Sequence, residues 1–292
     1  MWSWLTIVLL LGTHIYLTVR LRFPQRHILK ALKLSITPDK GSSGDVSQFG
    51  ALATALAATI GTGNIVGASG AILTGGPGAI FWMWITAILG GASAFIESTL
   101  AQIYKHKGPD GSYYGGPSYY MQNALRQRWL GVIFAVILIL TYVVGYNMLA
   151  SFNTQDTFKT FGFYDKTTTP IIIGAILAVL FAACVLGGGK RLTNITGVLV
   201  PVMGLLYIIV SLVVVIMNIT TLPLVLKSIF VSAFDFKAVF GGFAGSCMMW
   251  GIKRGLYSNE AGMGSAPNAA ASADVSHPVK QGLVQMLSVF ID

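Results

Sequence analysis

The sequence predicts an all-α protein that crosses a membrane many times. Of 292 residues, 54% are hydrophobic and 10% charged, against about 25% charged in soluble domains. The apolar residues gather in runs of roughly 20, the length a helix needs to cross a bilayer. The 19 Lys and Arg fall between those runs, so the net charge of +9 reads as loop charge distributed by the positive-inside rule, not as a nucleic-acid interface. Cys184 and Cys247 lie within apolar stretches and form no disulfide or metal framework.

The first helix is expected over 2–19. It has no basic segment before it and no cleavage site, so it reads as a membrane helix rather than a signal peptide. Arg20, Arg22, Arg26, Lys30, Lys33 and Lys40 follow, which makes 21–46 a basic cytoplasmic segment and puts the amino terminus outside. The second helix lies within 47–73, a stretch of 27 residues without a charge. Gly75 to Gly78 make an outer turn. Helices are then expected over 79–104, 131–152, 170–186 and 195–219, with a seventh starting near 238 and an eighth near 278. GGGKR at 187–191 and GIKRG at 251–255 read as cytoplasmic turns. On this topology the inner loops hold 15 cations and the outer loops 4.

The second helix is unsuited to plain spanning. Gly61, Thr62, Gly63 and Asn64 stand at its middle, with Gly67 and Gly70 beyond. Each interior Gly costs a helix about 1 kcal/mol relative to Ala. A break at membrane depth survives only where protein, water or a ligand satisfies the freed backbone groups. Secondary transporters use such breaks to hold substrate and coupling ion; glycine-mediated helix packing is the alternative. A second glycine-rich stretch, 240–267, contains Gly241, Gly245 and Gly255 and loosely repeats the first as GLYSNEAG at 255–262. It lies five helices later and runs in the opposite sense. That makes 47–219 and 220–292 the first repeat and the start of an inverted second repeat.

Individual side chains divide less clearly. Glu97 reads as a structural or gating residue beside Lys105 and Lys107, with proton coupling as the alternative. Ser258 and Asn259 read as N-cap residues, with Glu260 in the first turn of an inner half-helix. Lys253 and Arg254 read as a cytoplasmic-end anchor, and His14 as lone and far from the core. His106 and Asp110 lack a metal-binding pattern. Phe243, Met248 and Trp250 read as pocket lining or as packing. An embedded enzyme is not supported: there is no HExxH, no pair of carboxylates on one helix face and no nucleophile elbow. No cofactor, nucleic acid or protein partner is implied.

SNEAGMGSAPNAAASA at 258–273 and HPVKQGLVQML at 277–287 resemble the signature of the alanine or glycine:cation symporters. So do GTGNIVGA at 61–68, GGPGAIFWMW at 75–84, AFIESTLAQIYK at 94–105 and GGPSYYM at 115–121. The resemblance covers nearly the whole chain. It implies sodium- or proton-coupled uptake of a small neutral amino acid through the plasma membrane, and the inverted five-plus-five fold of the bacterial leucine transporter. It implies that backbone N–H groups at Gly61, Thr62 and Gly63 hold the substrate carboxylate. The carbonyls of Ala57 and Ile60 would face sodium, with Asn64 as ion ligand or as the pin of the break. Helix four would contribute Asn147, Met148 and Ala150, and the second break Phe243, Met248 and Trp250. Ala150 stands where the family usually has Gln, and Phe243, Met249 and Trp250 stand at positions usually small or polar, so alanine or glycine is not fixed as the substrate. An uncoupled exchanger or facilitator of the same fold, or a glutamine-type substrate, remains the alternative. Ten core helices are expected after the peripheral one. The chain supplies seven, the last incomplete, which reads as a C-terminally truncated, incomplete repeat.

Overall fold

The computed structural model describes residues 4–39, 46–61, 63–109, 111–235 and 247–292. Its first helix, α1 (Trp4–Arg20), is followed by a short 3-10 turn (Pro24–His27) and by α2 (Ile28–Ile36). The basic segment therefore folds where a loop was expected. Ile28, Ala31, Leu34 and Ser35 recur at helical spacing; Ala31 and Ser35 are buried and Ile28 and Leu34 pack on the core, while Lys30 and Lys33 stay exposed. One amphipathic face is enough to order the segment.

The uncharged stretch is broken, as its glycines predict. Helix α3 (Gln48–Thr59) is capped by Ser47, whose Oγ accepts the Gly50 N–H at 3.0 Å. A π-turn (Gly63–Gly67) leads into α4 (Ala68–Gly75), and the two halves meet at a 50° bend. Next comes α5 (Gly78–Ile103), the hub of the molecule. A two-stranded antiparallel ribbon, β1 (His106–Lys107) with β2 (Tyr113–Tyr114), and α6 (Pro117–Ala124) follow.

One long helix is then built of α7 (Arg128–Ile139), a π-segment (Leu140–Tyr146) and α8 (Asn147–Asp156). Two apolar spans, α9 (Thr168–Val185) and α10 (Gly188–Met217), come next. Then α11 (Leu222–Ala233), too short to span, packs on α5 where only a loop was expected. The described chain ends with α12 (Cys247–Asn259), α13 (Ala266–Ser272) and α14 (Pro278–Ile291). Among the described residues, four helices are long and apolar enough to cross a membrane, or up to six if each of two bent pairs is one span.

Helix α5 packs against α1, α11, α12, α13 and α14, while α3 packs against α10, α13 and α14. The main buried cluster joins Leu52 and Leu56 of α3 to Leu283, Val284, Met286 and Leu287 of α14. Most side chains of α9 and α10 are exposed, as on a lipid-facing surface.

GIKRG at 251–255 is not a turn. It lies inside α12, and its two glycines let α5 approach. A Cβ at Gly255 would stand 3.0 Å from Thr86 Cβ, and one at Gly251 would clash with the Ala79 carbonyl. Helix α12 packs on α4, the half-helix that leads to the Gly75–Gly78 turn. Lys253 and Arg254 therefore share that end rather than the end of the basic segment.

Candidate functional site

The two breaks lie side by side. A Cβ added at Gly63 would stand 3.2 Å from both the Cα and the Oγ of Ser258, so the missing side chain is what lets the first break touch α12. The second break is the linker between α12 and α13, residues 260–265. Its turns use left-handed backbone at Glu260 (φ 50°), Gly262 (φ 78°) and Gly264 (φ 85°). Glycine adopts that region freely, whereas a non-Gly residue held there is strained.

Asn64 organises the first break. Its Oδ1 accepts the Gly61 N–H at 2.9 Å, so that N–H turns away from the helical ladder toward Ala57. Its Nδ2 donates to Asp292 at both the backbone oxygen (2.7 Å) and Oδ1 (2.9 Å). Asp292 Oδ2 accepts from Ser258 Oγ at 2.9 Å, and buried Thr59 lies against the same carboxylate. One carboxylate thus joins the first break to the last turn of α12, surrounded by neutral oxygen and amide groups. An isolated buried carboxylate is costly, and a carboxylate with neutral hydroxyl and carbonyl oxygens nearby suits a hard cation.

Glu97 and Glu260 organise the second break. Glu97, 7% exposed on α5, accepts the Gly262 N–H at 3.2 Å through Oε1. Its described contact is with the break, not with Lys105 or Lys107. Glu260, 1% exposed, directly follows the last residue of α12, so Ser258 and Asn259 terminate that helix rather than start the next one. Its Oε2 accepts from Tyr142 OH. Tyr142 and Tyr146 stack at 4.8 Å, and Tyr146 stacks on Tyr257 at 6.0 Å. The π-segment of the long helix presents both tyrosines to the break.

His14 is also at the core. It is fully buried, hydrogen-bonded to Ser93 of α5 at 2.7 Å, and its ring would lie 3.1 Å from a Cβ at Gly262. The first helix is therefore peripheral in sequence but not in packing.

The remaining candidates fall as follows. Gly61 is exposed and Gly63 buried; Ala57 is exposed at the end of α3 and Ile60 half-buried. Asn147, Met148 and Ala150 are exposed on α8, with Asn147 bonded to the Val143 carbonyl of its own helix at 3.2 Å. Tyr142 and Tyr146 of the same long helix are the residues that meet Glu260. Met248 packs against the buried cluster of Ile7, Met249, Ile252 and Leu256. Trp250 lies under Lys253 and Arg254 at 5.8 and 5.7 Å from its ring. His106 faces Asn123 at 3.1 Å. Thr62, Asp110, Gly241, Phe243 and Gly245 lie outside the described residues. Sequence reading missed Asp292, Tyr142, Tyr146 and Ser93. The available signals were one acid on an otherwise apolar helix and two tyrosines four residues apart.

The profile of the sodium:alanine symporter family matches residues 1–292. A protein of Bacillus subtilis named as a probable sodium/glutamine symporter, GlnT, is 47% identical over 295 residues, which cover 100% of this chain and 60% of that protein. The putative sodium/proton-dependent alanine carrier protein YrbD of the same organism is 44% identical over 297 residues, covering 100% and 59%. The sodium/alanine symporter AgcS of Methanococcus maripaludis is 45% identical over 299 residues, covering 100% and 65%. The chain thus spans about three fifths of the length of these curated relatives.

Proposed function

The chain belongs to the sodium:alanine symporter family, and from that premise we propose that it is a secondary active transporter importing a small neutral amino acid together with sodium. The observation that carries this reading is the Asn64–Asp292–Ser258 linkage, one carboxylate tying two broken helices together at their point of contact. Asn64, Asp292 and Ser258 take the ion, with the Ala57 and Ile60 carbonyls completing its oxygen shell. The Gly61 N–H is taken by Asn64, so the backbone N–H groups at 62–63 take the substrate carboxylate, as half-helix ends at a break present unpaired donors. The fold is the inverted five-plus-five repeat. The protein sits in the plasma membrane with the amino terminus outside, since the basic face of α2 belongs to the cytoplasmic side.

Coupling follows from geometry. While the ion is absent, the Asp292 carboxylate holds Asn64 and Ser258 directly. A cation entering between them draws both breaks toward one charge, so ion and substrate stabilise the same arrangement and each raises the other's affinity. Alanine and glutamine both remain candidate substrates, because relatives of nearly equal identity are named for each.

The test is uptake of labelled alanine, glycine, serine and glutamine into proteoliposomes, with and without a sodium gradient. It is run on this chain and on a chimera carrying the C-terminal part of a longer relative. Sodium-driven uptake that is abolished by Asn64→Ala supports the reading. Uptake that is equal with and without sodium makes the protein a facilitator instead.

A further inference from the structure

Charge is unbalanced around the second break. The hydrogen-bond partners that Glu97, Glu260 and Asp292 make there are all neutral: the Gly262 N–H, the Tyr142 hydroxyl, the Asn64 amide and the Ser258 hydroxyl. Among the described residues, the ion pairs Lys159–Asp156 and Lys280–Asp39 lie elsewhere. Carboxylates buried without a cation are costly. Asp292 has a coupling ion in the reading above, and Glu97 is spent on the Gly262 N–H. Glu260 remains.

Its Oε2 is taken by Tyr142. Its Oε1 is buried with no hydrogen bond of normal geometry, and the Tyr146 hydroxyl and Ser265 Oγ, close enough to donate to this carboxylate, are buried with no other partner of normal geometry. Both lie against this same carboxylate. Three oxygen acceptors, one of them carrying the charge, are thus gathered with no donor among them but their own hydroxyls. The stacked rings of Tyr142, Tyr146 and Tyr257 wall one side. Glu260 itself holds left-handed backbone (φ 50°), and Asn259 Oδ1 braces that turn by accepting the Ala261 N–H at 3.0 Å. A bare hard cation seeks a fuller oxygen shell than three. A primary ammonium has three donors and no acceptor, which matches this set.

We propose that Glu260 Oε1, Tyr146 Oη and Ser265 Oγ form the seat of the substrate's α-ammonium group, separate from the ion held by Asp292. The proposal rests on the amino-acid reading above and deepens it. The distance is suitable: Ser258, which touches the first break at Gly63, is two residues before Glu260, at most about 7 Å along the chain. One amino acid can therefore place its carboxylate on the first break and its ammonium on the second. No bond is made or broken.

The test compares binding of labelled L-alanine and of L-lactate, which carries a hydroxyl in place of the amine, to the purified chain in sodium buffer. Wild type, Glu260→Gln, Tyr146→Phe and Ser265→Ala are measured together, with the sodium concentration for half-maximal alanine binding as a second readout. The assignment predicts strong preference for alanine in the wild type. That preference falls at least tenfold in Glu260→Gln and several-fold in Tyr146→Phe and Ser265→Ala, while the sodium requirement moves less than twofold. Tyr146→Phe leaves the carboxylate in place, so it tests the seat even if Glu260→Gln fails to fold. An unchanged alanine-to-lactate ratio in all three variants overturns the assignment alone. A changed sodium requirement with an unchanged ratio makes Glu260 an ion or proton site and also overturns it. Labelled glycine, serine and glutamine are bound in parallel; if the wild type binds none of these and no alanine, the amino-acid reading fails and this assignment with it.

Discussion

Asn64 and Asp292 meet across 228 positions of sequence, the Asn64 amide donating to the carboxylate at 2.9 Å while its carbonyl oxygen holds the Gly61 N–H. One side chain thus keeps the break between α3 and α4 open and ties it to the end of the last described helix. Asn64→Ala removes both functions and leaves Asp292 with Ser258 as its remaining described hydrogen-bond donor. Breaking a buried charged interaction from one side costs about 3 kcal/mol, so sodium-dependent binding of substrate is expected to fall by about 100-fold. A binding isotherm on the purified variant measures it, and a loss under threefold contradicts the role.

The α5–α12 contact depends on two absent side chains. Gly255→Val places atoms where Thr86 Cβ and Met83 Cα already stand, 3.0 and 3.2 Å from a Cβ. Overpacking of this kind costs about 1–3 kcal/mol, and the melting temperature in detergent is expected to drop. Gly174→Ala, where nothing lies within 4 Å of a Cβ, is the control and does not lower the melting temperature.

His14 and Ser93 pin α1 to α5 at 2.7 Å in a fully buried setting. Removing one partner leaves the other unsatisfied at about 1–3 kcal/mol. His14→Ala and Ser93→Ala should each destabilise, and the double variant should cost less than their sum by about 1 kcal/mol. Strict additivity in a double-mutant cycle contradicts the pairing.

Asp39 ties the basic segment to the start of α14. It accepts from the Ser276 N–H at 2.9 Å and from Lys280 Nζ at 3.0 Å, and the side chains of Lys280 and Asp39 are 36% and 6% exposed. A half-exposed Lys contributes about 1 kcal/mol or less, so Lys280→Ala has a small effect. Asp39→Ala loses the Ser276 bonds as well and is expected to open the loop before α14. Faster amide exchange over residues 274–280 in Asp39→Ala, and little change in Lys280→Ala, is the predicted pair of results.

Much of this arrangement is legible in the sequence because it rests on local chemistry. An uncharged stretch of membrane length with GTGN at its centre reads as an interrupted span or a glycine-packed crossing, and the break falls there. The errors share a cause. GIKRG resembles a turn in composition, yet Gly251 and Gly255 serve a helix crossing, and helix packing across 150 or more residues leaves no local trace. Ser258, Asn259 and Glu260 carry N-cap chemistry but end a helix, because the following glycines, at positive φ, allow the chain to turn there. His14 looked isolated because its partner, Ser93, is 79 residues away. Asp292 went unnoticed because an acid becomes informative only when the break it faces is known.

The central claim is that a cation at Asp292 couples the two broken helices to substrate. The most direct measurement is the sodium concentration for half-maximal alanine binding, in wild type and in Asp292→Asn. Loss of a ligand of this kind costs about 10- to 100-fold in ion affinity, so the variant should need at least tenfold more sodium while reaching the same maximum. A sodium requirement unchanged in Asp292→Asn, or alanine binding by the wild type that ignores sodium, contradicts the account.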